Sequence, residues 1–159
     1  MKIFKIESHP YELKFKTSFK TAKTNYEHRN GTIIKIFIDN LIGLGEVAPL
    51  AGFHEESLLE CYYALEAINQ SISNIEDITS DELFEIFKLH SERKPSLLFG
   101  LQTALLDILS QKCKVPLNRY LNNNCLDLIK LNAVHTIHAP DKNFNIVKVK
   151  LGYNNIHDD

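Results

Sequence analysis

No run of this sequence stays apolar for the roughly 18 residues that a membrane-crossing helix needs, so no such span is expected. There is no block of one charge either. Eighteen basic residues are scattered among 20 acidic ones, giving a formal net charge of −2. Nucleic acid and membrane surfaces are therefore not expected partners. Cysteine is scarce. Cys61, Cys113 and Cys125 are odd in number and far apart. They make neither a disulfide framework nor a metal or redox pair, and they fit a reduced, cytoplasmic setting. The opening residues, Met1 to Glu7, alternate instead of forming the apolar core of a signal peptide. No internal repeat is present.

What is there is a globular balance. Of 159 residues, 44 % are hydrophobic and 24 % charged, enough for a soluble domain with its own core. The first fifty residues read as β. Lys2 to Glu7 alternates, His9-Pro10 interrupts, and Tyr11 to Lys16 alternates again. Thr17 to Glu27 is mostly polar, holds no period and predicts a long loop. Arg29-Asn30-Gly31 predicts a turn into the β-branched run Thr32 to Ile38. Asp39-Asn40 then turns the chain into Ile42 to Val47, closing a hairpin. Ala48 to His54 holds two breakers and reads as a loop.

The middle of the chain is helical. Leu58, Leu59, Tyr62, Leu65, Ile68 and Ile72 recur at helical spacing between Glu55 and Ile72. Thr79 and Glu82 offer a capping box for a helix through about His90. Pro95 suits a first helical turn, and Leu98, Leu101, Leu105, Ile108 and Leu109 follow on one face around Ala104. Val115-Pro116-Leu117 ends that segment. Two further strands are predicted, Leu128 to Val134 and Ile146 to Leu151. The fold class is therefore α+β: a three- or four-stranded antiparallel sheet packed on a helical bundle, over residues 1–124, with the start of something else over 125–159.

Several residues are candidates for chemistry. In the last strand, Lys148 and Lys150 fall on one face and Val147, Val149 and Leu151 on the other. In a closed, partly dry site each ammonium would lose solvation and feel a like charge, and both effects lower a lysine pKa towards that of a working base. Facing water, the same pattern is an ordinary half-buried strand. His135, His138 and Asp141 could approach a metal, but their spacing is loose and a surface turn is the simpler reading. Glu46 could be catalytic, since it ends a strand beside a loop, but reads more simply as a structural carboxylate accepting from loop amides or a basic side chain. Leu50 and Phe53 read as core or as the apolar part of a ligand-facing loop. Tyr62, Tyr63 and Leu65 read as helix core and edge, and Cys61 as buried and inert.

Four segments in chain order resemble the enolase superfamily, and most of all its o-succinylbenzoate synthases. They are Arg29-Asn30-Gly31 entering a strand, Gly43-Leu44-Gly45-Glu46-Val47-Ala48-Pro49-Leu50-Ala51-Gly52-Phe53, Ser96-Leu97-Leu98-Phe99-Gly100-Leu101-Gln102-Thr103-Ala104-Leu105-Leu106-Asp107, and Lys148-Val149-Lys150-Leu151-Gly152. The second is similar to the superfamily's G-x-G-E-x-[AS]-P-L-x-G-F and favours the synthases over the dipeptide epimerases. The fourth is similar to the K-x-K-x-G of a second barrel strand.

The resemblance implies a capping domain over residues 1–124, whose loops around Ser18 to His28 and Ala48 to His54 close over a (β/α)-barrel. Residues 125–159 would supply the first two barrel strands only. The implied reaction is a dehydration in menaquinone biosynthesis, giving o-succinylbenzoate by removal of a proton α to a carboxylate. A lyase of this kind uses Mg²⁺. Lys150 would be base and then acid, and Lys148 would keep its pKa low. Arg29, Pro49, Leu50, Gly52, Phe53 and His54 would bind the carboxylate substrate. The superfamily's acidic metal ligands correspond to strands beyond Asp159, so no metal is expected on this chain and its own activity is left open. A fragment, a truncated gene and one half of a split enzyme all fit. A dipeptide epimerase, a muconate cycloisomerase, or a non-catalytic remnant that self-associates through open barrel strands are the alternatives.

Overall fold

The computed structural model describes residues 1–20, 24–134 and 145–148. Its first fifty residues form one antiparallel sheet in the order β1-β2-β3: β1 (Ile3–Lys20), β2 (Asn25–Ile38) and β3 (Leu41–Val47). The expected antiparallel sheet is present, with three strands. Asp39-Asn40 links β2 to β3, pairing Ile38 with Leu41, and Asp39 takes a positive φ of 53° there. Asp39 is a good choice for that conformation, because a short polar side chain tolerates it.

Three expectations for this region fail. Pro10 does not break β1; it pairs with Thr32 in a continuous strand. β1 is an edge strand, where a residue without an N–H costs no ladder bond. Arg29-Asn30-Gly31 is not a turn but lies inside β2, opposite Leu13, Glu12 and Tyr11. The polar stretch around Thr17 to Glu27 lies in β1 as far as Lys20 and in β2 from Asn25, with Phe19 opposite Tyr26 and Lys20 opposite Asn25. Along Glu12–Lys14 and Lys16–Phe19 the side chains are exposed on both faces. With no core to meet, burial along the arm does not alternate, although the sequence does from Tyr11 to Lys16. A register irregularity between Lys14 and Phe19 disturbs it further.

Of the helices α1 (Leu58–Ile72), α2 (Ser80–His90) and α3 (Pro95–Lys112), α1 and α3 meet the sheet and α2 packs against both, with the short α4 (Leu117–Leu121) after them. Ser57 and Glu60 form a capping box for α1, and Thr79 and Glu82 the expected one for α2. Each satisfies two otherwise orphan amides at a helix start. Burial places Ile6, Ile34, Ile36, Ile38 and Val47 of the sheet in the core. They join Cys61, Leu65 and Ile68 of α1, Leu83 and Phe87 of α2, and Leu97, Leu101, Leu105 and Ile108 of α3. Burial also pushes the Cys61 thiol up to about 11, which keeps it protonated and unreactive.

The sheet and α3 touch through glycine. A methyl group on Gly43 would sit 1.9 Å from the Ala104 carbonyl, and one on Gly45 the same distance from the Gly100 carbonyl. A methyl on Gly100 would strike Val47 at 2.6 Å. The two open edges of the sheet are closed by helix side chains. Asn69 of α1 accepts from the Ile6 N–H and donates to the Ile6 carbonyl, both at 3.0 Å. On β3, Asp107 accepts from the Leu44 N–H at 2.9 Å and Gln111 donates to the Ile42 carbonyl at 2.9 Å.

The chain divides into two compact units, Met1–Asn123 and Asn124–Asp159. In the second, β4 (Ala133–Val134) and β5 (Val147–Lys148) pair in parallel, Ala133 with Val147 and Val134 with Lys148. The expected strand from Leu128 is shorter than predicted, and Leu128 to Asn132 carry no ladder. Leu128, Ile129 and Leu131 are exposed, and a parallel strand without cover on its faces has little to hold it. Gly45→Ala is expected to cost about 3 kcal/mol or more, because backbone rather than a flexible side chain would have to move. Urea unfolding followed by circular dichroism checks this, as a lower midpoint with an unchanged slope.

Candidate functional site

Where β3 ends, the outer face of the sheet gathers a cluster of polar side chains. In a strand alternate residues share a face, so Arg29 and Gly31 of β2 stand beside Tyr11 and Leu13 of β1 on the outside. Tyr11 lies across Gly31, where any larger side chain would collide with its hydroxyl at 2.4 Å. It thereby spans β2 and donates its hydroxyl hydrogen bond to Glu46 of β3. Glu46 is a structural carboxylate as expected, but its donor is this tyrosine and not a loop amide or a cation. Burial, helped by the Glu46 bond, pushes the Tyr11 hydroxyl up to about 12.

The loop from Ala48 to His54 is held from behind. Arg29 donates to the carbonyls of Ala48 and Pro49, the second at 3.2 Å. Tyr26 donates to the Ala51 carbonyl at 2.6 Å. Inside the loop, the Leu50 carbonyl accepts from the N–H of Phe53 and of His54, at 3.0 and 2.9 Å. The Leu50 N–H donates to His54 Nδ1 at 2.9 Å. Gly52 takes a φ of 77°, a conformation that a side chain would strain. These bonds close the loop into a tight turn with Phe53 at its tip, 79 % exposed. Leu50 and Pro49 are half-buried beneath it.

Beyond the loop, Glu56 is buried and accepts from the Ser96 N–H at 2.9 Å. This bond matters because Lys94, the residue before α3, gives no side-chain cap. Glu56 caps α3 from another segment, and a carboxylate is favoured at a helix N-terminus. Burial opposes its charge, but Ser96 outweighs burial and holds the carboxyl below its usual range.

The structure thus brings Arg29, Pro49, Leu50, Gly52, Phe53 and His54 together. It adds Tyr11, Tyr26 and Glu56, which sequence reasoning missed. Tyr11 could have been found once Gly31 was placed inside a strand, since a glycine there leaves room for a facing aromatic ring. Of the lysine pair, Lys148 lies in β5 and is exposed, while Lys150 lies outside the described residues. His135, His138 and Asp141 also lie outside them. Among the described residues, no three His, Cys, Asp or Glu side chains gather to hold a metal ion.

The raised Tyr11 pKa gives a signed expectation. The hydroxyl must stay protonated to donate to Glu46, so its stabilisation is complete below an unfolded tyrosine pKa of about 10. It is lost as pH rises through the folded value of about 12. Tyr11→Phe should lower stability at neutral pH and remove this alkaline decline relative to the parent. Urea midpoints at a series of pH values, measured on both proteins, check it.

Comparison with known proteins follows this geometry closely. The sequence profile of the family described as MenC, N-terminal domain, matches residues 3–108. A hydrophobic dipeptide epimerase of Enterococcus faecalis is 24 % identical over 160 residues, covering 98 % of this chain and 45 % of that protein. The crystal structure of the Enterococcus faecalis V583 dipeptide epimerase with Mg and L-Leu-L-Tyr superposes with a TM-score of 0.79. It is 22 % identical, over 96 % of this chain and 46 % of that one. The dipeptide epimerase of Methylococcus capsulatus, with Mg and L-Arg-D-Lys, gives 0.74 at 23 % identity, over 95 % and 46 %. The chain spans less than half the length of these relatives. The fold is that of the enolase-superfamily capping domain, and the chain belongs to the MenC N-terminal domain family.

Proposed function

We propose that residues 1–124 are the capping domain, and residues 125–159 the first barrel strands, of an enzyme that takes a proton from the carbon next to a carboxylate. One observation carries the reading. The Ala48–His54 loop is fixed from behind by Tyr26 and Arg29 and offers one free apolar side chain, Phe53. A rigid loop with an exposed apolar tip is suited to close on the apolar part of a small ligand. Phe53 and Leu50 would touch the substrate. Pro49, Gly52, Arg29 and His54 would give the loop its shape.

Within this reading Lys150 is the base, and Lys148 beside it lowers its pKa by like charge. In the first version of the reaction, Lys150 takes the α-proton and returns it to the departing hydroxyl, so that water leaves and o-succinylbenzoate forms. The match to the MenC N-terminal domain over residues 3–108 and the Pro49-Leu50-Ala51-Gly52-Phe53 motif support it. In the second version, the deprotonated carbon is reprotonated on its other face and a hydrophobic dipeptide is epimerised. The likeness to the Enterococcus faecalis epimerase along nearly the whole chain supports that one. Mg²⁺ belongs to the structures of the dipeptide epimerases. Among the described residues no three His, Cys, Asp or Glu side chains gather to hold such an ion.

Residues 1–159 by themselves are expected to give no turnover of either substrate with Mg²⁺ or Mn²⁺, and to self-associate through the open edges of the β4–β5 pair. A protein in which they run on into the remaining barrel strands is expected to turn over one of the two. Lys150→Ala in that protein should lower the rate by about 10²- to 10⁴-fold with the fold intact. Assays of dehydration and of α-proton exchange in D₂O distinguish the two versions. Full turnover by the Lys150 variant, or metal-dependent product from residues 1–159 alone, overturns the assignment.

A further inference from the structure

The loop depends on a histidine nitrogen acting as an acceptor. Leu50 N–H donates to His54 Nδ1, and an imidazole nitrogen accepts only while it carries no proton. A charged imidazole has a proton on both nitrogens, so Nδ1–H would then face the Leu50 N–H, donor against donor. A second observation lies two residues on. Glu56 is 6 % exposed, and one of its carboxylate oxygens is taken by Ser96. The other, Oε2, is buried and has no hydrogen-bond partner among the described residues. An orphan buried carboxylate oxygen is costly, and it is a strong acceptor for a cationic donor. Glu56 stands two residues along the chain from His54.

We propose that His54 is a positioning residue with two partners: uncharged, it holds the Leu50 amide and fixes the turn that presents Phe53; charged, it releases Leu50 and donates to Glu56 Oε2. The two states are exclusive, because one ring cannot keep a bare Nδ1 and carry the second proton. The surrounding charges do not compete for the ring. Glu55 is paired to Arg93 at 3.0 Å. Arg29 of β2 is engaged on the Ala48 and Pro49 carbonyls. Cys61 of α1, on which Lys94 and Glu60 also act, stays neutral with its thiol pushed up to about 11. The Phe53 ring meets the imidazole edge-on, with centroids 5.2 Å apart, so a swing of His54 moves the tip of the loop directly. The consequence for a substrate rests on the proposed role of the loop, but the switch itself does not.

The chain contains no tryptophan, so Phe53→Trp places a single emitting indole at the loop tip. Emission of that variant is followed from about pH 8 to about pH 5, the range in which histidine changes charge. A one-proton transition is expected. Adding His54→Gln should abolish it, since the amide oxygen can accept from Leu50 but cannot titrate. Adding Glu56→Gln instead should move its midpoint down, because the attracting charge is gone. Far-UV circular dichroism establishes that each variant is folded. A flat trace for Phe53→Trp alone, or the same transition after His54→Gln, overturns the proposal. If the His54 variant does not fold, an unmoved midpoint in the Glu56 variant overturns it. Emission needs no turnover, so failure here leaves the catalytic reading standing, and the converse also holds.

Discussion

The approach of α3 to β3, backbone against backbone, is the constraint on which the rest of the molecule hangs. It is possible only because Gly43 and Gly45 face α3 and Gly100 faces β3. At that separation Asp107 and Gln111 reach the free edge of β3 and bond it as a fourth strand would. Lys112 reaches the hairpin turn and pairs with Asp39 at 2.8 Å, which holds that carboxyl below its usual range. The same approach fixes where the chain goes next. β3 ends at Val47, the Ala48–His54 loop leaves from there, and Glu56 must arrive at the start of α3 to cap it. The loop is therefore strung between the two partners of the glycine contact, and its position is set by them.

What could be read beforehand was whatever meets the core. Helix periodicity, the Thr79–Glu82 box, Pro95 at a helix start and the Asp39-Asn40 turn each leave a local signature, because each is a local solution to a hydrogen-bonding or burial problem. The far part of the β1–β2 arm, where the sequence predicts a loop from Thr17 to Glu27, left none. Its side chains face water on both sides, and backbone pairing carries no side-chain pattern. Gly31 read as a turn for a related reason: its purpose is to clear space for Tyr11, a residue 20 positions away. Ser57 and Glu60 carry the same local signature as the Thr79–Glu82 box, at the start of α1.

The site divides along the same line. The motif from Gly43 to Phe53 was legible as a motif, and the loop residues it named do come together. The side chains that hold them do not belong to the motif. Tyr26, Tyr11 and Glu56 each act across more than 24 residues of sequence, through a hydroxyl or carboxylate whose partner is a backbone group or another side chain. Arg29 was read as a ligand for substrate, and the structure places it behind the loop, bonded to carbonyls. A sequence records which residues are present in a loop more readily than which residues stand behind it.

The unburied arm has one more implication, concerning how its reach could change. Its strands are held together by their ladder, and Phe15 stacks on Phe19 within β1, with no demand from a core beneath. Length is then free, but parity is not. One residue added to each strand would turn every side chain beyond it to the opposite face. Two added to each strand preserve all faces and advance the tip by about 7 Å. Tyr26 marks the limit of such steps: it lies in the arm opposite Phe19 and donates to Ala51, so only a change nearer the tip leaves the loop as it is.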